Sequence, residues 1–358
     1  MYRTLQNELA LVNDVVTRII AEDPFPESVL PSCLASAVRS YPVRGGKRLR
    51  PALLLWANGA LGGDPDQAVF AGCAVELFHT WTLVHDDIID EDDLRRGKPT
   101  AHVEVASHAE QAYGKPKALT DKFGRDMAIL CGDIQQAWAM NMLLRSREKG
   151  VGASLLADLL VRFQEVNNLL ISGEALDVEF PMRDLGEITK EEVRKMILGK
   201  TSCLLKFAVQ CGGAIALGKA DFQEEHLAAL GNFAEELGIA FQLRDDYLGI
   251  FGDEKTFGKP IGSDFQEGKP TFLYLDAMSL LPENGKKRLK GLTGLPQYSS
   301  NAIDEIRTLL KESGAEAKCL QEIAHLTEKA HSRLMTLPES KYRKLLEDLL
   351  SYLLERTV

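Results

Sequence analysis

The chain has 358 residues, 45% of them hydrophobic and 26% charged, and a formal net charge of −10. This is the composition of a globular chain with a sizeable core, and nothing in it suggests disorder beyond the termini. The acidic balance argues against nucleic acid as a partner, and no run approaches ~18 uninterrupted apolar residues, so no membrane span is expected.

Residues 2–22 place apolar side chains at helical spacing with Glu8 and Asp14 interspersed. They lack the basic start and apolar centre of a signal peptide, and a cytoplasmic protein is expected. The same three- and four-residue spacing predicts helices over 28–41, 47–61, 66–90, 125–149, 152–180, 189–217, 222–250, 271–281, 300–313, 315–335 and 339–356. Residues 103–124 read as a connecting loop with some helix. Thr189 with Glu192 forms a capping box, and Gly62-Gly63-Asp64-Pro65 closes one helix and opens the next. No alternating strand pattern stands out and no Pro/Gly/Ser-rich linker divides the chain, so one all-α domain over 1–358 is expected. The cysteines at 33, 73, 131, 203, 211 and 319 form no CxxC pair and read as reduced core residues.

Gly45-Gly46-Lys47-Arg48-Leu49-Arg50-Pro51 puts two flexible residues before three cations at a helix start, where backbone N–H groups also favour anions. Further on, an apolar helix runs into Asp86-Asp87-Ile88-Ile89-Asp90, followed by Arg95-Arg96-Gly97. Asp86 and Asp90 share one helix face. Carboxylates at that spacing repel unless a cation sits between them, and hard oxygen donors suit Mg²⁺, which binds through a few carboxylates plus substrate phosphates. The guanidinium forks of Arg95 and Arg96 suit phosphate oxygens. An acid run at a helix end is by itself most often a solvated surface. A second copy of the chemistry shifts the balance: Phe241-Gln242-Leu243-Arg244-Asp245-Asp246 again ends an apolar run, and a Lys-bearing loop with Asp253, Lys259 and Lys269 follows. Such acid pairs could face each other across a helical bundle and hold metal ions and a diphosphate.

On these residues, together with Lys200-Thr201, the chain resembles the trans-isoprenyl diphosphate synthases of the polyprenyl synthetase family, from about residue 40 to 275 and in the family's order. The resemblance implies a large single-domain helical bundle of the isoprenoid synthase type around a central metal–diphosphate cavity. It implies a prenyltransferase that condenses isopentenyl diphosphate head to tail with allylic diphosphates, working as a homodimer with Mg²⁺ (three ions, Mn²⁺ substituting). Asp86, Asp90 and Asp245 are then the metal ligands. The reaction falls to Asp86, Asp87, Asp90, Arg95, Lys200, Thr201, Asp245, Asp246 and Lys259. Gly46, Lys47, Arg50, His79, Arg95, Arg96, Lys200, Thr201, Gln242, Lys259 and Lys269 bind substrate. Trp81, five residues before Asp86, resembles the aromatic floor of short-chain members, and the small Thr82 beside it favours a twenty-carbon geranylgeranyl product over fifteen-carbon farnesyl or longer chains.

Two positions depart from the family pattern. Glu174 stands where Gln is usual three residues before Asp177, adding a carboxylate near the metals or an ion-pair partner, and Gly249 replaces a third Asp in the second motif. A class I terpene cyclase or a head-to-head synthase would share Asp-rich helices but lack the Gly-Gly-Lys-Arg-Leu-Arg site. A non-catalytic subunit of a heteromeric synthase would not be expected to keep both acid motifs.

Overall fold

The computed structural model describes residues 2–252, 261–295 and 297–354. The chain divides into two compact units, Met1–Val161 with Ala208–Asp221, and Arg162–Phe207 with Phe222–Val358. Both are helical, and the strands among the described residues are the two-residue β1 (Leu94–Arg95) and β2 (Lys98–Pro99), paired antiparallel with Leu94 opposite Pro99.

The first unit carries α1 (Tyr2–Glu22), α2 (Ser32–Val43), α3 (Leu49–Ala60), α4 (Val69–Ile89), α5 (Ala101–Tyr113) and α6 (Lys117–Leu144). Its centre is α4, which packs on α3 and α6. An apolar surface on all sides suits a helix to the interior, and α4 buries residues on every face, from Val69 and Phe70 through Cys73, Leu77, Phe78 and Trp81 to Val84. Its last turn is the first acid motif, with Asp90 as the C-cap. α5 is a correction to the expected loop over 103–124. It is Ala-rich with weak periodicity, and it forms because Ala101, Val105, Ala106 and Ala109 are buried, with α6 packed against it. α6 likewise starts earlier than the spacing predicts, just after Pro116.

The second unit carries α8 (Lys190–Ile197), a π-helical turn over Leu198–Ser202, and α10 (Glu225–Phe251), on which the helix Ala315–Leu334 packs. α7 (Ala153–Glu179) and α9 (Cys203–Leu217) each have residues in both units. The capping box forms as expected, with the Glu192 backbone N–H on Thr189 Oγ1 at 3.2 Å and the Thr189 N–H on the Glu192 carboxylate at 2.9 Å. A further helix, Glu283–Gly291, has no counterpart in the apolar pattern; among its side chains only Leu289 is a buried apolar anchor. All six cysteines are buried thiols, and burial pushes Cys131 and Cys319 up to about 12.

Candidate active site

The basic motif near the N-terminus splits its cations by backbone geometry. Gly45 and Gly46 take φ of +83° and +156°, and Arg48 caps α3 in a left-handed conformation at φ 48°. This turns Arg48 inward, where it is buried, pairs with Glu76 of α4 and donates to the Pro42 carbonyl. Lys47 stays exposed and Arg50 half-buried, so of the three cations these two keep access to an anion. Arg96 lies against the same turn. Its Nη1 donates to the Gly45 carbonyl, and a Cβ at Gly46 would stand 2.6 Å from that nitrogen. The positive φ favours glycine at 46, and a side chain there would also displace the end of Arg96.

His79 sits among these arginines. Burial first, then the charges of Arg50, Arg96, Arg95 and Arg48, hold its imidazole well below the usual range, which leaves it neutral at working pH. A neutral ring can accept or donate a hydrogen bond to a substrate without adding charge.

The three aspartates of the first motif have different surroundings. Asp86 keeps 19% of its side chain exposed and Asp90 is exposed, one turn on, with its N–H on the Asp86 carbonyl at 2.8 Å. Asp87 points the other way and is fully buried. It accepts the Tyr41 hydroxyl on one oxygen and the Arg95 guanidinium on the other. Burial raises the Asp87 carboxyl despite those two partners, with Asp86 adding repulsion. Tyr41 is raised by burial and then by Asp87, so its hydroxyl remains a donor. Arg95 also reaches Asp92 at 3.1 Å and Asp86 at 3.5 Å. Tyr41, Arg44, Thr80, Leu83, Arg95 and Arg96 line a small cleft here.

Trp81 is 5% exposed, edge-on to Phe78 at 4.8 Å and to His85 at 5.9 Å. It is thus a core aromatic one turn and more below the acid cluster, with its Cα ~7.5 Å along the helix from that of Asp86.

In the second unit, Lys200 and Thr201 lie in the π-helical turn, a form frequent at functional sites. Gly199 of that turn packs on Gly173 of α7: a Cβ at Gly173 would come 2.2 Å from the Lys200 backbone nitrogen. The close approach lets Lys200 Nζ reach both Glu174, at 3.0 Å, and Asp177, at 2.7 Å. Of the two expectations for Glu174, the ion pair is the one the unit forms. Asp245 is half-buried, whereas Asp246 is buried and accepts Gln242 Nε2 at 2.9 Å. Burial, then Asp264 and Asp245, hold the Asp246 carboxyl well above the usual carboxylate range. Gly249 is buried and its carbonyl accepts the Gly262 N–H at 2.8 Å. Lys269 pairs with Glu267 at 2.6 Å. Lys259 and Asp253 lie outside the described residues.

Among the described residues no group of three or more His, Cys, Asp or Glu converges on one point. Mg²⁺ needs no such cage, since it takes one or two carboxylates and completes its shell with water and substrate phosphates. Asp86 and Asp90 in the first unit, and separately the half-buried Asp245 in the second, are of the donor type that requirement asks for. The buried Asp87, already occupied by Tyr41 and Arg95, does not.

Three participants escaped the sequence reading: Tyr41, Arg44 and Glu76. Glu76 carried the signal that singled out Glu174 and Asp177, a charge inside an apolar helix, where it must find a partner. Tyr41 and Arg44 carried none, because what engages them lies far along the chain.

The model of the polyprenyl synthetase family matches residues 31–312. The chain is 37% identical to a short chain isoprenyl diphosphate synthase of Methanocaldococcus jannaschii over 87% of this chain and 86% of that one. Among solved structures it is similar to a geranylgeranyl pyrophosphate synthetase from Pyrococcus horikoshii (TM-score 0.84, 33% identity, 99% of both chains). A geranylgeranyl pyrophosphate synthase from Corynebacterium glutamicum, complexed with isoprenyl diphosphate and magnesium, also aligns (TM-score 0.84, 27% identity, 99% of both chains). No described helix is long and apolar enough to cross a membrane. With the family model spanning most of its length and the arginine, aspartate and lysine motifs in that family's order, the chain belongs to the polyprenyl synthetase family of prenyltransferases.

Proposed function

We propose that this protein condenses isopentenyl diphosphate head to tail with dimethylallyl, geranyl and farnesyl diphosphates, giving chiefly geranylgeranyl diphosphate and releasing diphosphate. The observation that carries the reading is local: in a chain of net charge −10, arginines 50, 95 and 96 gather around a neutral His79 on the helix that ends in Asp86 and Asp90. Such a gathering is built for a polyanion. On this reading residues 1–358 form one polyprenyl synthetase domain that works as a cytoplasmic homodimer.

Lys47, Arg50, His79 and Arg96, with the Gly46 backbone, hold the diphosphate of isopentenyl diphosphate. Arg95, Lys200, Lys259 and Lys269 neutralise that of the allylic substrate as its C–O bond breaks. Thr201 steadies the allylic cation, and Gln242 binds substrate. The isopentenyl double bond supplies the electron pair for the new C–C bond, and the released diphosphate takes the proton whose loss restores an alkene. No protein nucleophile is needed. Asp86 and Asp90, and Asp245, would hold the Mg²⁺, expected as three ions with Mn²⁺ able to substitute, and the metal would supply positive charge for the leaving group.

The test is mass analysis of products from labelled isopentenyl diphosphate with each primer, using the purified chain alone. A twenty-carbon main product is expected, and excess EDTA abolishes turnover until Mg²⁺ is restored. A folded chain that forms no prenyl diphosphate, or full turnover in EDTA, overturns the reading; a fifteen-carbon or much longer product overturns the chain-length assignment alone.

The product tail must run from the charged end into apolar surroundings, and Trp81 is the large ring in its way. Trp81→Ala is therefore expected to lengthen the main product while leaving the KM of the primer nearly unchanged. An unaltered product distribution would move the floor to Phe78 or a neighbouring helix.

A further inference from the structure

The setting of Arg95 depends on a residue from another helix. Tyr41 of α2 is 4% exposed; its hydroxyl donates to Asp87 and accepts the Ala101 backbone N–H at 3.2 Å. Asp87, fully buried, presents its other oxygen to both Nε and Nη2 of Arg95. Two contacts from one guanidinium edge to one fixed oxygen set which edge faces Asp87 and at what distance, and the contact of Nη2 with Asp92 at 3.1 Å adds a second anchor. One turn on from Tyr41, Arg44 stacks over the Tyr41 ring at 4.4 Å, donates to the Pro99 carbonyl at 2.6 Å and pairs with Glu104. α2 thereby grips the β1–β2 turn beyond Arg95 as well as the carboxylate beneath it.

We propose that Tyr41 is a positioning residue: by holding Asp87 in place, its hydroxyl presets the Arg95 guanidinium for the diphosphate of the allylic substrate. The inference rests on the assignment of Arg95 to that diphosphate. Asp87 is enclosed, so its oxygens cannot turn to water for a substitute donor. Without the hydroxyl, the carboxylate must rotate or draw Arg95 further onto itself, and either movement takes the fork away from its set position. The role differs from that of a ligand, since Tyr41 need never touch substrate.

The experiment is a double-mutant cycle of Tyr41→Phe and Arg95→Met, read by calorimetric binding of inorganic diphosphate in the presence of Mg²⁺ and by the KM of the allylic substrate. Tyr41→Phe keeps the ring and its stacking on Arg44. It is expected to weaken diphosphate binding and raise the allylic KM by about tenfold, the scale of one hydrogen bond to a charged group, with the KM of isopentenyl diphosphate changed far less. In the Arg95→Met background the same substitution should add almost nothing. A merely structural hydroxyl would act the same with or without Arg95, so independent, multiplying effects overturn the proposal, as does unchanged binding in Tyr41→Phe. Should Tyr41→Phe fail to fold by circular dichroism, Asp87→Asn enters the same cycle, and additivity there overturns it equally. An active wild type with an additive cycle sinks this inference alone; a wild type that neither turns over nor binds diphosphate sinks the functional reading with it.

Discussion

Asp86→Asn lowers kcat by roughly 10² or more at saturating Mg²⁺ and substrates, while the protein melts close to the wild type. The carboxylate lies at the accessible end of α4, so its charge is available to a cation and through it to the leaving group. That interaction grows as the C–O bond breaks, which is why the loss falls on kcat. Asn keeps the shape and one oxygen, so the helix end survives. Steady-state kinetics beside a thermal melt check the expectation; a variant that melts far below the wild type would mean that Asp86 is structural. The neighbouring Asp87 should behave in the opposite sense, because it is enclosed between Tyr41 and Arg95 and its replacement disturbs packing and the setting of Arg95 together.

Glu76→Ala has the largest expected effect on stability. Glu76 and Arg48 keep 4% and 1% of their side chains exposed, and Arg48 also donates to the Pro42 carbonyl and, at 3.3 Å, to Thr17. Removing one partner of a buried ion pair leaves an uncompensated charge and costs about 3–5 kcal/mol. The whole charge set is local: Arg48 holds the left-handed end of the Gly45–Arg48 turn, so its release also loosens Lys47 and Arg50. Urea unfolding followed by far-UV circular dichroism should show the midpoint drop. The double variant Glu76→Met with Arg48→Met should recover much of the loss, since apolar residues of similar volume replace buried pairs at little cost. A Glu76→Ala protein within about 1 kcal/mol of the wild type would show that water reaches Arg48 on its own, against the usual desolvation penalty for a buried charge.

Helices and caps were legible in the sequence because each rests on interactions a few residues long. Apolar spacing located α4 and α10, Thr189 and Glu192 announced their own capping box, and adjacent aspartates at two helix ends announced repulsion that something must relieve. Helices whose stability comes from neighbours were not legible. The alanine face of α5 reads as weak until α6 covers it, and Glu283–Gly291 is mostly charged around one buried leucine. The same limit applied within the motifs. Asp86 and Asp87 are identical in sequence terms, as are Arg48 and Arg50 to a cation count. Only tertiary structure separates them, by putting Tyr41 beneath one aspartate and Glu76 beneath one arginine. Desolvation decides this division: a charge that packing encloses is committed to its partner, and the neighbour left within reach of water can be approached by a ligand.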